Sequence, residues 1–302
     1  MARERDVLTL DVDGHKITAI TAEPAEPSGK PLIAALHGGT YTAHYFDVAG
    51  GPGGSFLDVA AAHGYPVVAF DRPGYGGSTP LAPESNTFTR HAELLSGAVA
   101  QAAARRGADR VFLVGHSIGG MIALMIAAHS PELPLIGVSA TGMGAVIPPG
   151  GAAEALGSLP PDDTVDLPYE ERDHVMFGPA HTHTAEARRQ AHDTYAPVPV
   201  RELAQAPAWP REHLPAVAPR VRVPVHNALA EFDALWDSTP ENVARFAALF
   251  TSAPFVDAQV ARGTGHCLDH HTLGIATHLR QLAFAEECAV WAAARHEAEN
   301  GN

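Results

Sequence analysis

Cysteine is scarce: Cys267 and Cys288 are the two in 302 residues, too few for a disulfide framework. Also missing is any uninterrupted apolar run of the ~18 residues a membrane span requires, and the opening Met1-Ala-Arg-Glu-Arg-Asp6 lacks the apolar core of a signal peptide. These absences make the cytoplasm the expected compartment and exclude a membrane partner. Basic residues are few as well, 20 Lys and Arg against 34 Asp and Glu, for a net charge of -14. The acidic excess is spread along the chain, and the nearest basic run, Arg105, Arg106 and Arg110, is short and interrupted by Asp109. Such a surface repels phosphate backbones, which argues against nucleic acid. Neither G-x-G-x-x-G nor G-x-x-x-x-G-K-[ST] follows a first strand, so no nucleotide cofactor is expected. His266, Cys267, Asp269, His270 and His271 crowd together, with His181 and His183 as further donors. They lack H-E-x-x-H or paired C-x-x-C spacing, and no metal is expected.

What is present is an ordinary globular composition, 46% hydrophobic and 18% charged. Two alternating runs, 7–12 and 15–21, flank Asp13-Gly14, the dipeptide of a tight hairpin. Solid apolar runs at 31–36, 66–70, 110–114, 133–140, 221–228 and 255–261 read as buried parallel strands. Helical patterns lie between them at 55–63, 87–105, 117–129, 240–249 and 272–295. The alternation predicts an α/β fold with a mostly parallel sheet covered by helices on both faces. The rhythm breaks from Thr141 to Arg220, a stretch rich in Pro, Ala and His with a plausible helix at Thr184–Thr194. Some 80 residues without strands exceed an ordinary loop, so 141–220 is expected to be an inserted helical cap on a core of 1–140 and 221–302. Met143, Phe177, Tyr195 and Trp209, with His174, His181 and His183, are candidates for lining a cavity beneath it.

The strand at 111–114 runs into Gly115-His-Ser117-Ile-Gly119 and then into a helix. In that context G-x-S-x-G marks a sharp turn that holds a serine at a helix N-terminus, where the helix dipole favours developing negative charge. Ser117 is the candidate nucleophile. A serine hydroxyl needs a base, and the base an orienting carboxylate. Gly263-Thr-Gly265-His266 follows the last expected strand, which makes His266 the base candidate among 18 histidines. Glu231-Phe-Asp233 ends the penultimate strand; Asp233 is the preferred acid, with Glu231 and Asp237 as alternatives. Donors for an oxyanion are expected from the amide of Ile118 and from His37-Gly-Gly39-Thr40, with Gly39 first and Thr40 next.

His37-Gly-Gly39, Asp71-Arg-Pro-Gly-Tyr-Gly-Gly-Ser78, Gly115-His-Ser-Ile-Gly119, Glu231-Phe-Asp233 and Gly265-His266 together resemble the α/β-hydrolase superfamily over nearly the whole chain. The resemblance implies an eight-stranded sheet with its second strand antiparallel, a cap after the sixth strand, and a Ser-His-Asp triad at the carboxyl edge. It implies a serine hydrolase acting on an ester, thioester or related acyl bond of a small to medium, partly apolar molecule through an acyl-enzyme. The same site serving elimination or acyl transfer, or a non-catalytic binding protein on this fold, is the alternative.

Overall fold

The computed structural model describes residues 5–150 and 164–300. Its first strands, β1 (Asp6–Val12) and β2 (His15–Ala22), pair antiparallel around Asp13-Gly14. Both turn residues have positive φ, 53° and 76°, as the turn of a two-residue hairpin demands. Strands and helices then alternate: β3 (Leu32–Leu36), α1 (Phe56–Ala62), β4 (Val67–Phe70), α2 (Phe88–Arg106), β5 (Val111–His116), α3 (Ile118–His129) and β6 (Leu135–Thr141). After an intervening segment come β7 (Thr164–Val165), α4 (Tyr169–Met176), α5 (Ala185–His192), β8 (Val198–Pro199) and α6 (Val200–Ala208). The chain closes with β9 (Val225–Phe232), α7 (Pro240–Ala247), β10 (Val256–Gly265) and α8 (Gly274–Asn300).

Eight strands form one sheet in the order β1-β2-β4-β3-β5-β6-β9-β10. Strand β2 is antiparallel to both neighbours, and all other pairs are parallel. Side chains alternate across it, as a period of two requires. Leu32, Ala34 and Leu36 pack with Leu95 of α2 and Ile122 of α3 on one face. Ile33 and Ala35 pack with Phe56 of α1 and Phe284 of α8 on the other.

Four strands begin directly after a proline, at 31, 66, 134 and 224. A proline has no amide hydrogen for the ladder but keeps its carbonyl; those of Pro66, Pro134 and Pro224 accept from Ile33, Val111 and Val138 at 2.9, 2.9 and 3.0 Å. This corrects the penultimate strand, expected over 221–228: it starts after Pro224 and runs on to Phe232.

Among its described residues, the stretch from 142 to 224 adds no strand to the main sheet; residues 151–163 of the expected cap lie outside the described residues. The helix expected at Thr184–Thr194 is α5, and the Thr184 hydroxyl caps it by accepting from Ala187 N at 3.0 Å. This stretch is bonded to the loops beyond β3 and β10. Ala196 N donates to Thr40 O (2.8 Å), Thr42 N to Thr194 O (3.1 Å), Cys267 N to Met176 O (2.9 Å) and Thr272 N to Thr182 O (2.9 Å). Among the described residues no helix is long and apolar enough to cross a membrane.

Candidate active site

Between β5 and α3 the backbone reverses at Ser117, with φ 53° and ψ -121°. A non-glycine residue held there stores on the order of 1–3 kcal/mol of strain, and its neighbours hold it in place. Ser117 N donates to Thr141 O at 2.7 Å, and Ser117 O accepts from Gly120 N and Met121 N at 2.9 and 3.1 Å. The glycines two positions either side are needed for close packing. A Cβ on Gly115 would stand 2.4 Å from Gly119 O, and one on Gly119 would stand 2.1 Å from Leu36 O. The serine side chain is thereby left at the N-terminus of α3, where unpaired amides and the helix dipole favour negative charge.

The Ser117 hydroxyl lies 3.0 Å from His266 Nε2. His266 Nδ1 in turn lies 3.1 and 3.0 Å from the two oxygens of Asp233, and both side chains are buried. Asp233 Oδ1 also accepts from the amides of Leu235 (2.9 Å) and Trp236 (3.1 Å), so the carboxylate is fixed by its own turn. The alternatives face elsewhere: Glu231 accepts from Gly263 N at 2.8 Å and Asp237 from Thr239 N at 3.0 Å. Of the three carboxylates, Asp233 is the one the fold brings to His266.

A register shift between Ala261 and Gly265 bends the end of β10, and His266 is the first residue past it. There the chain passes so close to the intervening segment that a Cβ on Gly265 would stand 2.2 Å from Gly178 N. His271 clamps the crossing. Its Nε2 accepts from both Gly178 N (3.0 Å) and Gly265 N (2.9 Å), while Nδ1 donates to Cys267 O (2.9 Å). Burial pushes its pKa down to about 4, so the ring is the neutral acceptor this arrangement needs.

Across from His266 the loop after β3 brings Gly39 and Thr40 to the wall of a cleft shared with Ser117 and Ile118. Thr40 has a positive φ of 62° and gives its carbonyl to Ala196 N. Among the described residues the amides of Gly39 and Ile118 have no acceptor.

A model of the Alpha/beta hydrolase family matches residues 33–276. The chain belongs to this family. The putative carbamate hydrolase RutD of Enterobacter cloacae is 29% identical over 115 residues, 37% of this chain and 38% of that protein. The chain thus aligns with well under half of that curated relative. Two solved structures share the fold. A soluble variant of the monoglyceride lipase of Saccharomyces cerevisiae has a TM-score of 0.70 at 16% identity, covering 94% of this chain and 96% of that one. A thermophilic esterase from Thermogutta terrifontis has a TM-score of 0.67 at 17% identity, covering 95% and 99%.

In this α/β-hydrolase a cleft open to solvent lies above Ser117. Its walls are mostly apolar: Met121 of α3, Ile147, Val175 and Met176 of α4, Leu203 of α6, and Leu235 and Trp236 beyond β9. None of Met143, Phe177, Tyr195, Trp209, His174, His181 or His183 lines it. Met143 and Trp209 are fully buried in the core instead. No local signal marks the true wall residues, because they meet only through the fold.

The crowded histidines also find individual places. His270 Nε2 donates to Tyr45 O at 3.0 Å, and the Cys267 thiol to Met176 O at 3.0 Å. Asp269 accepts from the Tyr45 hydroxyl (2.7 Å) and His278 Nε2 (3.1 Å). His116 stacks on Tyr45 with ring centroids 4.5 Å apart. Burial, and then the nearby His266, hold His116 well below the usual histidine range. Among the described residues no three His, Cys, Asp or Glu side chains gather to hold a metal ion.

Proposed function

We propose that the protein is a serine hydrolase that cleaves an ester, thioester or related acyl bond of a small to medium, partly apolar molecule. The observation that carries this reading is the unbroken hydrogen-bonded chain Ser117–His266–Asp233 on the floor of an apolar cleft. In this reading His266 Nε2 takes the hydroxyl proton as Ser117 Oγ attacks the carbonyl carbon. Asp233 holds the ring in the tautomer with Nδ1 protonated and stabilises the imidazolium that forms. The amides of Gly39 and Ile118 receive the oxyanion. Collapse breaks the bond to the leaving alkoxide or thiolate, which takes the proton from His266. Water, deprotonated by the same ring, then attacks the acyl-enzyme, and the acid leaves as Ser117 recovers its proton.

Residues 141–220 act in this reading as a cap on the core of 1–140 and 221–302, supplying Ile147, Val175 and Leu203 to the apolar wall. Such a wall favours an acyl group without charges.

The test is a panel of p-nitrophenyl esters of increasing acyl length, run beside labelling by a fluorophosphonate probe. Wild type should hydrolyse the medium-length esters best and label. Ser117→Ala should lose kcat by on the order of 10⁵-fold or more, fail to label, and melt no lower than wild type. Equal labelling or retained activity in Ser117→Ala overturns the proposal.

A further inference from the structure

Arg72 follows β4 and is wholly buried, and its guanidinium is used on every side. Nε donates to His37 O at 3.0 Å and Nη2 to Gly38 O at 3.1 Å. Nη1 donates to Glu202 Oε2 at 2.7 Å and to His91 Nδ1 at 3.2 Å. The Arg72 amide donates to His37 Nε2 at 3.1 Å, which leaves the proton of that imidazole on Nδ1, 2.8 Å from Gly38 O. Glu202 lies on α6, some 130 residues away in the chain, and is likewise wholly buried. Its Oε2 also accepts from the Tyr75 hydroxyl at 3.1 Å.

These bonds bear on the direction of two amides. In a trans peptide the carbonyl and the following N–H point opposite ways, and no peptide among the described residues is cis. With the Gly38 carbonyl tied to Arg72 and His37, the Gly39 N–H is turned away from them. Gly39 borders the cleft and Arg72 does not. We infer that Arg72 is a positioning residue that aims the Gly39 amide at the oxyanion, and that Glu202, from the inserted segment, neutralises it there. This rests on the reading of Ser117 as nucleophile.

The pair makes the amide's aim depend on the inserted segment. With Glu202 withdrawn, Arg72 would be an unpaired charge in a dry site, a state strongly disfavoured. The fork geometry matters as much as the charge: one ammonium cannot reach two carbonyls and a carboxylate with the planar spread a guanidinium offers.

The test uses Arg72→Lys in the full chain, measured with the p-nitrophenyl ester wild type hydrolyses fastest. The expectation is a kcat lowered by roughly 100-fold, the scale of a lost oxyanion donor, with KM within about threefold. Affinity for an alkylboronic acid, whose tetrahedral adduct places an oxygen at the same amide, should fall in parallel. A second variant, Arg72→Met with Glu202→Leu, removes both charges together, which buried pairs often tolerate. It carries the same kinetic expectation. A folded variant of either kind with wild-type kcat and boronate affinity overturns the inference and leaves the pair a purely structural contact. A crystal structure of the variant gives a readout independent of turnover: the Gly38–Gly39 peptide should be rotated, and an unmoved peptide also overturns the inference. Absence of wild-type labelling by a fluorophosphonate would instead strike at the nucleophile, so the two failures are distinguishable.

Discussion

The imidazole of His271 accepts two amide hydrogens, those of Gly178 and Gly265, and has no place for a second proton. Its pKa sits at about 4, below the ordinary 6.5, chiefly through burial. Protonation is therefore easier in the unfolded chain. The stability this ring contributes is complete above about pH 6.5, is lost progressively as the pH falls toward 4, and changes no further below that. His226 and His270 are held at about 4 by burial as well. Each group bears on the order of 3 kcal/mol across that window. The denaturation midpoint in urea should accordingly fall steeply between pH 7 and 4.5. His271→Gln, which offers an acceptor but does not titrate, should begin lower at pH 7 and show a shallower fall. An unchanged slope would remove His271 from the account. Asp269 is held low in the folded state by His278 and Tyr45 against the opposing effect of its burial; its contribution is lost only as pH drops below about 3.8, a separate window.

At the scale of elements, the elbow is a junction of β3, β5 and α3 in which Gly119 lets the helix lie against the end of β3. A methyl group there meets Leu36 O at 2.1 Å and His37 O at 2.5 Å, both backbone atoms that cannot swing aside. Gly119→Ala should destabilise by about 1–3 kcal/mol and, on the proposed reading of Ser117 as nucleophile, lower ester turnover further than the stability loss accounts for. Thermal melting and kcat on the same preparation would check this. The elbow was legible because its signal is local: an apolar strand, a G-x-S-x-G turn and a helix-spaced run within 20 residues. The hairpin at Asp13-Gly14 was legible for the same reason. Asp233 was harder to choose over Glu231 because the choice turns on where β9 ends. The strand runs on to Phe232, which still pairs with Gly265 of β10, so Asp233 is the first residue free to turn toward His266. The cleft wall carried no signal at all. Leu203 and Leu235 stand 32 positions apart and share the cleft only because α6 and the turn beyond β9 converge there. Arg72 was visible as part of a motif, but nothing near it in the chain announces Glu202.

At the scale of the molecule, the segment between β6 and β9 is bonded to the rest through backbone groups as well as through the Arg72–Glu202 pair. Two of the four bonds given above, those of Thr42 and Ala196, make Tyr41 and Tyr195 an antiparallel bridge across the seam, and Asp237 N donates to Val146 O at 3.0 Å. A region held this way should unfold with the sheet in one transition. Trp209, fully buried in this segment, is a reporter for it once Trp236 and Trp291 are replaced by Phe. Its fluorescence and the far-ultraviolet circular dichroism should then give coincident thermal transitions, whereas an earlier fluorescence change would mean that the segment melts on its own.

The bond from Ala196 N to Thr40 O has one further consequence, for timing. It joins the inserted segment to the loop that also holds Gly39, so raising the segment would disturb the wall of the cleft beside Ser117. On the proposed reading, passage of small molecules is then left to side chains that line the cleft and reach solvent, the half-buried Leu167 and the exposed Glu171. Side chains of that kind turn in picoseconds to nanoseconds, against microseconds to milliseconds for the displacement of a whole segment. On that clock, admission to the cleft is fast beside any bond-breaking step that follows it.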